Sequence, residues 1–77
     1  MKDTRLAAFG LTIRELRKAK GLSQEAFADA AGLDRSYMGH IERGEKNITL
    51  SKVYQIAGAL NMTVADIFLA VQANQEQ

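Results

Sequence analysis

The residues best suited to chemistry in this 77-residue chain lie between Ser23 and Arg43. Arg35 and Ser36 follow Asp34, a residue type that commonly caps a helix, so both are predicted in the first turn of a short helix. An arginine there can donate two hydrogen bonds to guanine O6 and N7, and a serine hydroxyl can serve several bases. This pattern is typical of a helix whose first turn enters the major groove of DNA and contacts base edges.

A second short helix is predicted just before it, with Ser23 as its N-cap and Gln24 in its first turn. There the Gln24 amide and the backbone N–H groups of the helix start suit a phosphate. The two helices would be joined through residues 31–34, where Gly32 allows the positive φ of a tight turn. This spacing is that of a helix-turn-helix. An ordinary corner between two helices has a similar pattern, so the spacing alone leaves both interpretations open.

The rest of the chain divides into helical segments with clear start and stop signals. No strand candidate appears, so the sequence predicts an all-α, compact five-helix bundle that contains the helix-turn-helix. Leu50 is placed on the inward face of the fourth segment. We expect one domain over residues 1–71 and a polar, frayed tail over residues 72–77. The predicted segments run from about Thr4 to Lys20, from Ser23 to Gly32, from Asp34 to Arg43, from Thr49 to Leu60, and from Thr63 into the apolar stretch that ends at Val71.

The composition limits the classes of function that the chain can have. The chain is 47% hydrophobic and has no cysteine, which favours a folded domain and excludes disulfides and thiolate chemistry. The net charge is only +1, but the first 20 residues carry six basic and two acidic side chains, so the basic end comes first. No uncharged stretch approaches the roughly 20 residues of a membrane span, and we expect a cytoplasmic protein without a membrane partner. His40 is the single histidine, so we expect no metal, no cofactor and no enzymatic activity.

A family resemblance rests on three stretches: Gly21-Leu22-Ser23-Gln24-Glu25, Gly32-Leu33-Asp34-Arg35-Ser36-Tyr37 and Ile41-Glu42-Arg43-Gly44. Together they resemble the Xre-like helix-turn-helix family, which includes phage Cro and repressor proteins and has the lambda-repressor-like fold. Within it, the short length and the stretch Asn47-Ile48-Thr49-Leu50 look most like controller proteins of restriction–modification systems. The resemblance covers about residues 9–70. It implies a homodimer that binds a near-palindromic operator in double-stranded DNA.

The resemblance also implies roles for individual residues. Gln24, Arg43 and Lys46 would contact phosphates, and Ser23 and His40 are assigned to the same surface as further phosphate contacts. Arg35, Ser36 and Tyr37 would face bases or the adjacent backbone, although the Tyr37 ring could instead belong partly to the core. Gly39 lies inside the recognition helix, where a glycine disfavours the helix, so it is assigned to close approach to the bases.

Two further groups are assigned structural or assembly roles. Near phosphate the Glu42 carboxylate would be repelled, so it is expected to turn inward and pair with Arg17. A small five-helix monomer would leave part of the last segment's apolar face exposed, which suggests a dimer interface. The alternative is that this helix only completes the core. The predicted interface residues are Val64, Ile67, Phe68 and Val71.

These features predict a transcription regulator that acts by occupying promoter DNA. RNA polymerase is a candidate further partner, and no small-molecule ligand is implied. An antitoxin that silences a toxin protein is the first rival, since such proteins often share this domain. Co-purification with a toxin would favour that rival. An enzyme is the second rival, and turnover that depends on Arg35 or His40 would be its signature.

Overall fold

The computed structural model describes residues 3–76 of the chain. These residues contain five α-helices joined by turns and loops. The described residues contain no β-strand, and the predicted all-α fold with five helices is confirmed. The helices are α1 (Thr4–Ala19), α2 (Gln24–Ala31), α3 (Arg35–Glu42), α4 (Leu50–Leu60) and α5 (Val64–Gln75).

Each helix begins after a residue whose side-chain oxygen accepts a backbone N–H from the first turn. Ser23 Oγ accepts from the Ala26 amide at 3.0 Å, and Thr63 Oγ1 accepts from the Asp66 amide at 3.0 Å. Such caps satisfy donors that have no partner inside the helix. The helix starts therefore follow from local chemistry that the sequence already displays. The five caps are Asp3, Ser23, Asp34, Thr49 and Thr63.

The turn between α2 and α3 depends on the left-handed backbone of Gly32, whose φ is +71°. The next amide, that of Leu33, donates to the Ala28 carbonyl at 2.8 Å and closes the end of α2. Leu33 is half-buried and its side chain packs against the core, so both its backbone and its side chain hold the turn in place. These contacts set how α3 leaves α2.

The core draws fully buried side chains from every helix. They are Ile13, Phe27, Met38, Ile41, Ile56, Leu60 and Ile67. The structure contradicts the inward assignment of Leu50, which is 66% exposed. It is the first residue of α4, directly after the Thr49 cap, and it lies beside a surface groove rather than in the core.

The C-terminal residues correct a second expectation. The tail over residues 72–77 is predicted to fray, but α5 continues through Gln75. Asn74 Nδ2 donates to Thr12 Oγ1 at 2.6 Å, and the Thr12 hydroxyl donates to the Ala8 carbonyl at 2.8 Å. A long-range contact to α1 therefore holds the last turn, which a polar composition alone does not reveal. The predicted start of the domain, with Met1 and Lys2, and the predicted end of the tail at Gln77 lie outside the described residues.

Across residues 3–76, none of the helices taken singly has the length and apolar character needed to cross a bilayer. Helices α4 and α5 together reach that length, but they bend by 95° at the break between them.

Candidate nucleic-acid interface

The first turn of α3 lies at the surface because the opposite face of the helix is buried. Met38 and Ile41 pack in the core, whereas Arg35 and Ser36 are exposed. Asp34 Oδ2 accepts from the Tyr37 amide at 3.3 Å, which stabilises the start of the helix. The structure thus presents a guanidinium and a hydroxyl side by side at the end of a helix that can enter a major groove.

Tyr37 is half-buried and packs against the core. The Lys52 ammonium from α4 lies 5.6 Å from the centre of the Tyr37 ring, the geometry of a cation–π contact. Tyr37 therefore packs partly inward, as one interpretation predicted, and its contact with DNA stays a prediction. No local signal pointed to Lys52, because fifteen positions separate it from Tyr37 and only the packing of α4 brings them together.

The start of α2 is tied to the end of α3 through a polar network. Ser23 uses its hydroxyl oxygen as the N-cap acceptor for Ala26, while Gln24 Nε2 donates to Glu42 Oε1 at 3.1 Å. Gln24 is half-buried as a result. The predicted phosphate-contacting residues Ser23 and Gln24 are thus held in place before any ligand arrives.

Arg17 and Glu42 form the ion pair that the sequence suggested. Arg17 Nε donates to Glu42 Oε2 at 2.8 Å, and Arg17 Nη2 donates to Glu42 Oε1 at 3.1 Å. Arg17 Nη1 also donates to the Leu22 carbonyl at 2.9 Å. The two side chains are only 11% and 3% exposed, so the pair is shielded from water. Among the described residues, every buried side-chain nitrogen and oxygen has a hydrogen-bond partner.

A second charged cluster lies at the end of α3 and contains two of the predicted phosphate contacts, His40 and Arg43. His40 Nδ1 lies 2.7 Å from Glu45 Oε1, and Arg43 Nε donates to the same oxygen at 3.2 Å. The hydrogen bond with the His40 ring, followed by that from Arg43, lowers the pKa of Glu45 below its ordinary value. Glu45 was not among the predicted site residues, although its spacing from two basic residues was visible. Lys46, the next residue, is exposed.

Gly39 is buried rather than open to the surface. A Cβ atom placed on it would lie 3.1 Å from Arg43 Nη1 and 3.4 Å from Gln24 Oε1. The absent side chain therefore makes room for two side chains of the same protein. The predicted contact of Gly39 with a base is not supported by this placement, because Arg43 and Gln24 lie over it.

The apolar face predicted for dimerisation is divided by the fold. Ile67 and Val71 are 0% and 5% exposed and belong to the core, so they are not available to a partner. Val64 is half-buried, whereas Phe68 is 44% exposed and its ring lies 5.6 Å from that of Phe9. Phe68 borders an apolar groove of about 310 Å³, lined by Arg5, Leu6, Phe9, Asn47, Ile48, Leu50, Val53 and Phe68.

Two short helices held by a glycine turn, with a polar first turn exposed on the second, define a helix-turn-helix protein. The comparison with known families agrees, since the profile of an Xre-type helix-turn-helix family matches residues 13–67. The chain belongs to this helix-turn-helix family.

Several relatives are restriction–modification controllers. The control protein C.MunI from a Mycoplasma species is 37% identical over 73 residues, which cover 94% of this chain and 97% of that protein. The crystal structure of the controller C.AhdI from Aeromonas hydrophila is 47% identical, with a TM-score of 0.84, and covers 86% of this chain and 100% of that one. The controller C.Esp1396I, solved as a tetramer with its natural 35 base-pair operator, is 27% identical, with a TM-score of 0.91, and covers 97% and 99%.

Proposed function

We propose that this protein is a sequence-specific DNA-binding transcription regulator that controls a restriction–modification system. The observation that carries the proposal is the exposed pair Arg35 and Ser36 on the first turn of α3. The controllers to which the chain is similar support the biological context, and one of them is solved on its operator.

In this role α3 lies in the major groove and Arg35 donates to a guanine. Gln24, Arg43 and Lys46 contact phosphates on either side and position the helix. The protein acts by occupying promoter DNA rather than by catalysis, and its place of action is the cytoplasm, where that DNA lies. When bound at the promoter, the protein either blocks RNA polymerase or contacts it directly.

The operator is bound by a homodimer, with a second copy of the chain covering the apolar groove beside Leu50 and Phe68. The support is the tetrameric state of the related controller on its operator and the exposure of two large apolar side chains at one groove. A two-fold dimer presents two α3 helices about 34 Å apart, one turn of DNA, so the operator is near-palindromic. Dimerisation and DNA binding are then coupled, and regulation follows the protein concentration.

Selection of bound sequences from a pool of random DNA duplexes tests the proposal. We expect an enriched motif with two-fold symmetry and half-sites about one helical turn apart. The enriched motif should also occur upstream of the protein's own gene. A folded protein that enriches no motif would overturn the proposal and favour a protein partner, such as the toxin of an antitoxin system.

A further inference from the structure

A small polar recess lies where α1, the start of α2 and the end of α3 meet. It has a volume of about 260 Å³ and is lined by Arg14, Arg17, Gln24, Glu42 and Arg43. Three of these side chains are cationic and one is anionic, so the recess carries a net positive charge. We call it the arginine recess. Its charge fits an anion, and the neighbouring α3 is the helix proposed to enter the major groove.

The buried Glu42 carboxylate determines how Gln24 enters the arginine recess. Glu42 Oε1 accepts hydrogen bonds from both Arg17 Nη2 and Gln24 Nε2, each at 3.1 Å. An amide nitrogen carries two N–H donors, and this contact uses one of them. The amide cannot turn over without placing its oxygen against the carboxylate, so Gln24 Nε2 stays on the side of Glu42 and keeps its second N–H for a ligand.

Arg14 supplies the positive charge of the recess that is not already in an ion pair, because Arg17 pairs with Glu42 and Arg43 pairs with Glu45. Arg17 is paired with Glu42, whereas Arg14 is exposed and makes no ion pair with any residue in the range 3–76. Arg43 extends over Gly39, where a Cβ atom would lie 3.1 Å from Arg43 Nη1 and 3.4 Å from Gln24 Oε1. Arg14 was counted among the basic residues of the N-terminal segment but was not assigned to any site.

We propose that the arginine recess binds one backbone phosphate of duplex DNA between Arg14, Gln24 and Arg43, and that Glu42 is the positioning residue that orients Gln24. The inference rests on the proposed function and adds to it Arg14 as a further phosphate contact and a role for the buried ion pair. Guanidinium and amide donors converging on one phosphodiester give short, charge-assisted hydrogen bonds. The phosphate belongs to DNA rather than to a free anion, because the recess adjoins the helix that carries Arg35.

Replacement of single phosphates by neutral methylphosphonates tests the shared site. The probe is the duplex obtained by selection, with one phosphate neutralised at a time. One position in each half-site should weaken binding of the wild-type protein about tenfold, the loss of a charge-assisted contact. In the Arg14→Gln and Gln24→Ala variants the same replacement should weaken binding about threefold or less, since that phosphate has already lost one protein partner.

The control is Lys20→Gln, which removes one exposed positive charge from the end of α1 without touching the recess. It should lower affinity slightly and leave the methylphosphonate profile unchanged. The proposal is overturned if Arg14→Gln and Gln24→Ala lose sensitivity at different phosphates, or if Arg14→Gln behaves as Lys20→Gln does. Inorganic phosphate that binds the wild-type protein and is lost in Arg14→Gln, without a change in duplex affinity, would assign the recess to a free anion instead.

A failure of the proposed function remains distinguishable from a failure of this inference. If selection enriches no motif, binding to a duplex of fixed arbitrary sequence is measured as salt is raised. Arg14→Gln should then reduce the slope of log K against log salt by about one, because one phosphate contact is lost. An unchanged slope would overturn the recess as a DNA phosphate site.

The role of Glu42 is tested with a double-mutant cycle. Glu42→Gln should weaken duplex binding in the wild-type background but not in the Gln24→Ala background, while its cost in folding stability persists in both. Equal losses of affinity in both backgrounds would show that Glu42 acts only through the fold.

A measurement on the wild-type protein covers the case in which Glu42→Gln does not fold. NMR should show one side-chain N–H of Gln24 protected from exchange by Glu42 and the other shifting when duplex is added, whereas both N–H groups of exposed Gln75 should exchange freely. Signals that resemble those of Gln75 would overturn the positioning role.

Discussion

Arg17 of α1 and Glu42 at the end of α3 face each other through two hydrogen bonds, of 2.8 and 3.1 Å, in a place almost closed to water. Neither residue is on the exposed first turn of the recognition helix, yet Glu42 bonds directly to Gln24 and Arg17 is linked to Gln24 through Glu42. This pair joins the first helix to the last residue of the recognition helix, so folding and DNA binding share one structural element.

Removing one member of the pair is expected to damage the fold first. Arg17→Ala leaves the Glu42 carboxylate buried without its partner, which should lower the free energy of unfolding by about 3–5 kcal/mol. Urea unfolding followed by circular dichroism measures this loss. A change below about 1 kcal/mol would show that water reaches the carboxylate and that the pair is weak, as at exposed sites.

Gly10 is predicted to be required where α1 crosses the end of α3. A Cβ atom on Gly10 would collide with the Ile41 carbonyl oxygen and lie 2.6 Å from that of Glu42. Gly10→Ala should therefore destabilise the protein by roughly 1–3 kcal/mol, even though alanine is the better helix former. Thermal unfolding would show the loss as a lower midpoint.

Gly58 in α4 provides the matched control for Gly10. No described atom lies within 4 Å of a Cβ placed there. Gly58→Ala should stabilise the protein by about 0.5–1 kcal/mol, since only helix propensity changes. Opposite signs for the two substitutions are the expected result; two stabilising substitutions would mean that the crossing of α1 and α3 can open to admit a methyl group.

Arg35→Ala should reduce sequence discrimination rather than all binding. Loss of one bidentate contact to guanine is expected to cost roughly 1–3 kcal/mol on the selected duplex and little on a random one. Repeating the selection with the variant should show one base position blurred in each half-site. Equal losses on selected and random duplexes would instead make Arg35 a phosphate contact.

Leu50→Glu is expected to disrupt the dimer. Leu50 is 66% exposed and lines the apolar groove, so a carboxylate there would be buried against apolar side chains of the partner copy. Analytical ultracentrifugation should show a folded monomer at concentrations where the wild-type protein is dimeric. Leu11→Glu is the control, because Leu11 is 47% exposed on α1 and does not line the groove. If both variants remain dimeric, the interface lies elsewhere.

Glu45→Gln should increase affinity for every duplex by a few-fold, because an exposed carboxylate that pairs with Arg43 also repels phosphate. His40 and Arg43 hold the pKa of Glu45 below its ordinary value of 4.5. The carboxylate is therefore charged throughout the range above that value and loses its charge only as the pH falls through the lowered pKa. Fluorescence anisotropy should show the same gain at pH 8 and pH 6, and Glu76→Gln, at the end of α5, should show none. A gain restricted to pH 8 would exclude this electrostatic origin.

Short-range chemistry is enough to predict the helices and the position of the exposed first turn of α3 from the sequence. Caps such as Ser23 and Asp34 act on amides three residues away, and Gly32 sets the turn through its own backbone. These are short-range effects, so the local order of residue types is enough to place Arg35 and Ser36 on the first exposed turn of α3. The Arg17 and Glu42 pair was also predictable, because a carboxylate at the end of a DNA-reading helix needs a partner away from phosphate.

Local patterns could not predict which apolar residues face inward and which polar residues contact each other, because the packing of distant helices sets both. Ile67 and Val71 are in the core while Leu50 is outside, although all three have similar side chains. The contact of Asn74 with Thr12 spans 62 positions in the chain. The packing of α1 against α3 and α5 decides these contacts. Burial and side-chain contacts depend on how helices distant in sequence pack, and the periodic pattern along one helix does not encode that packing.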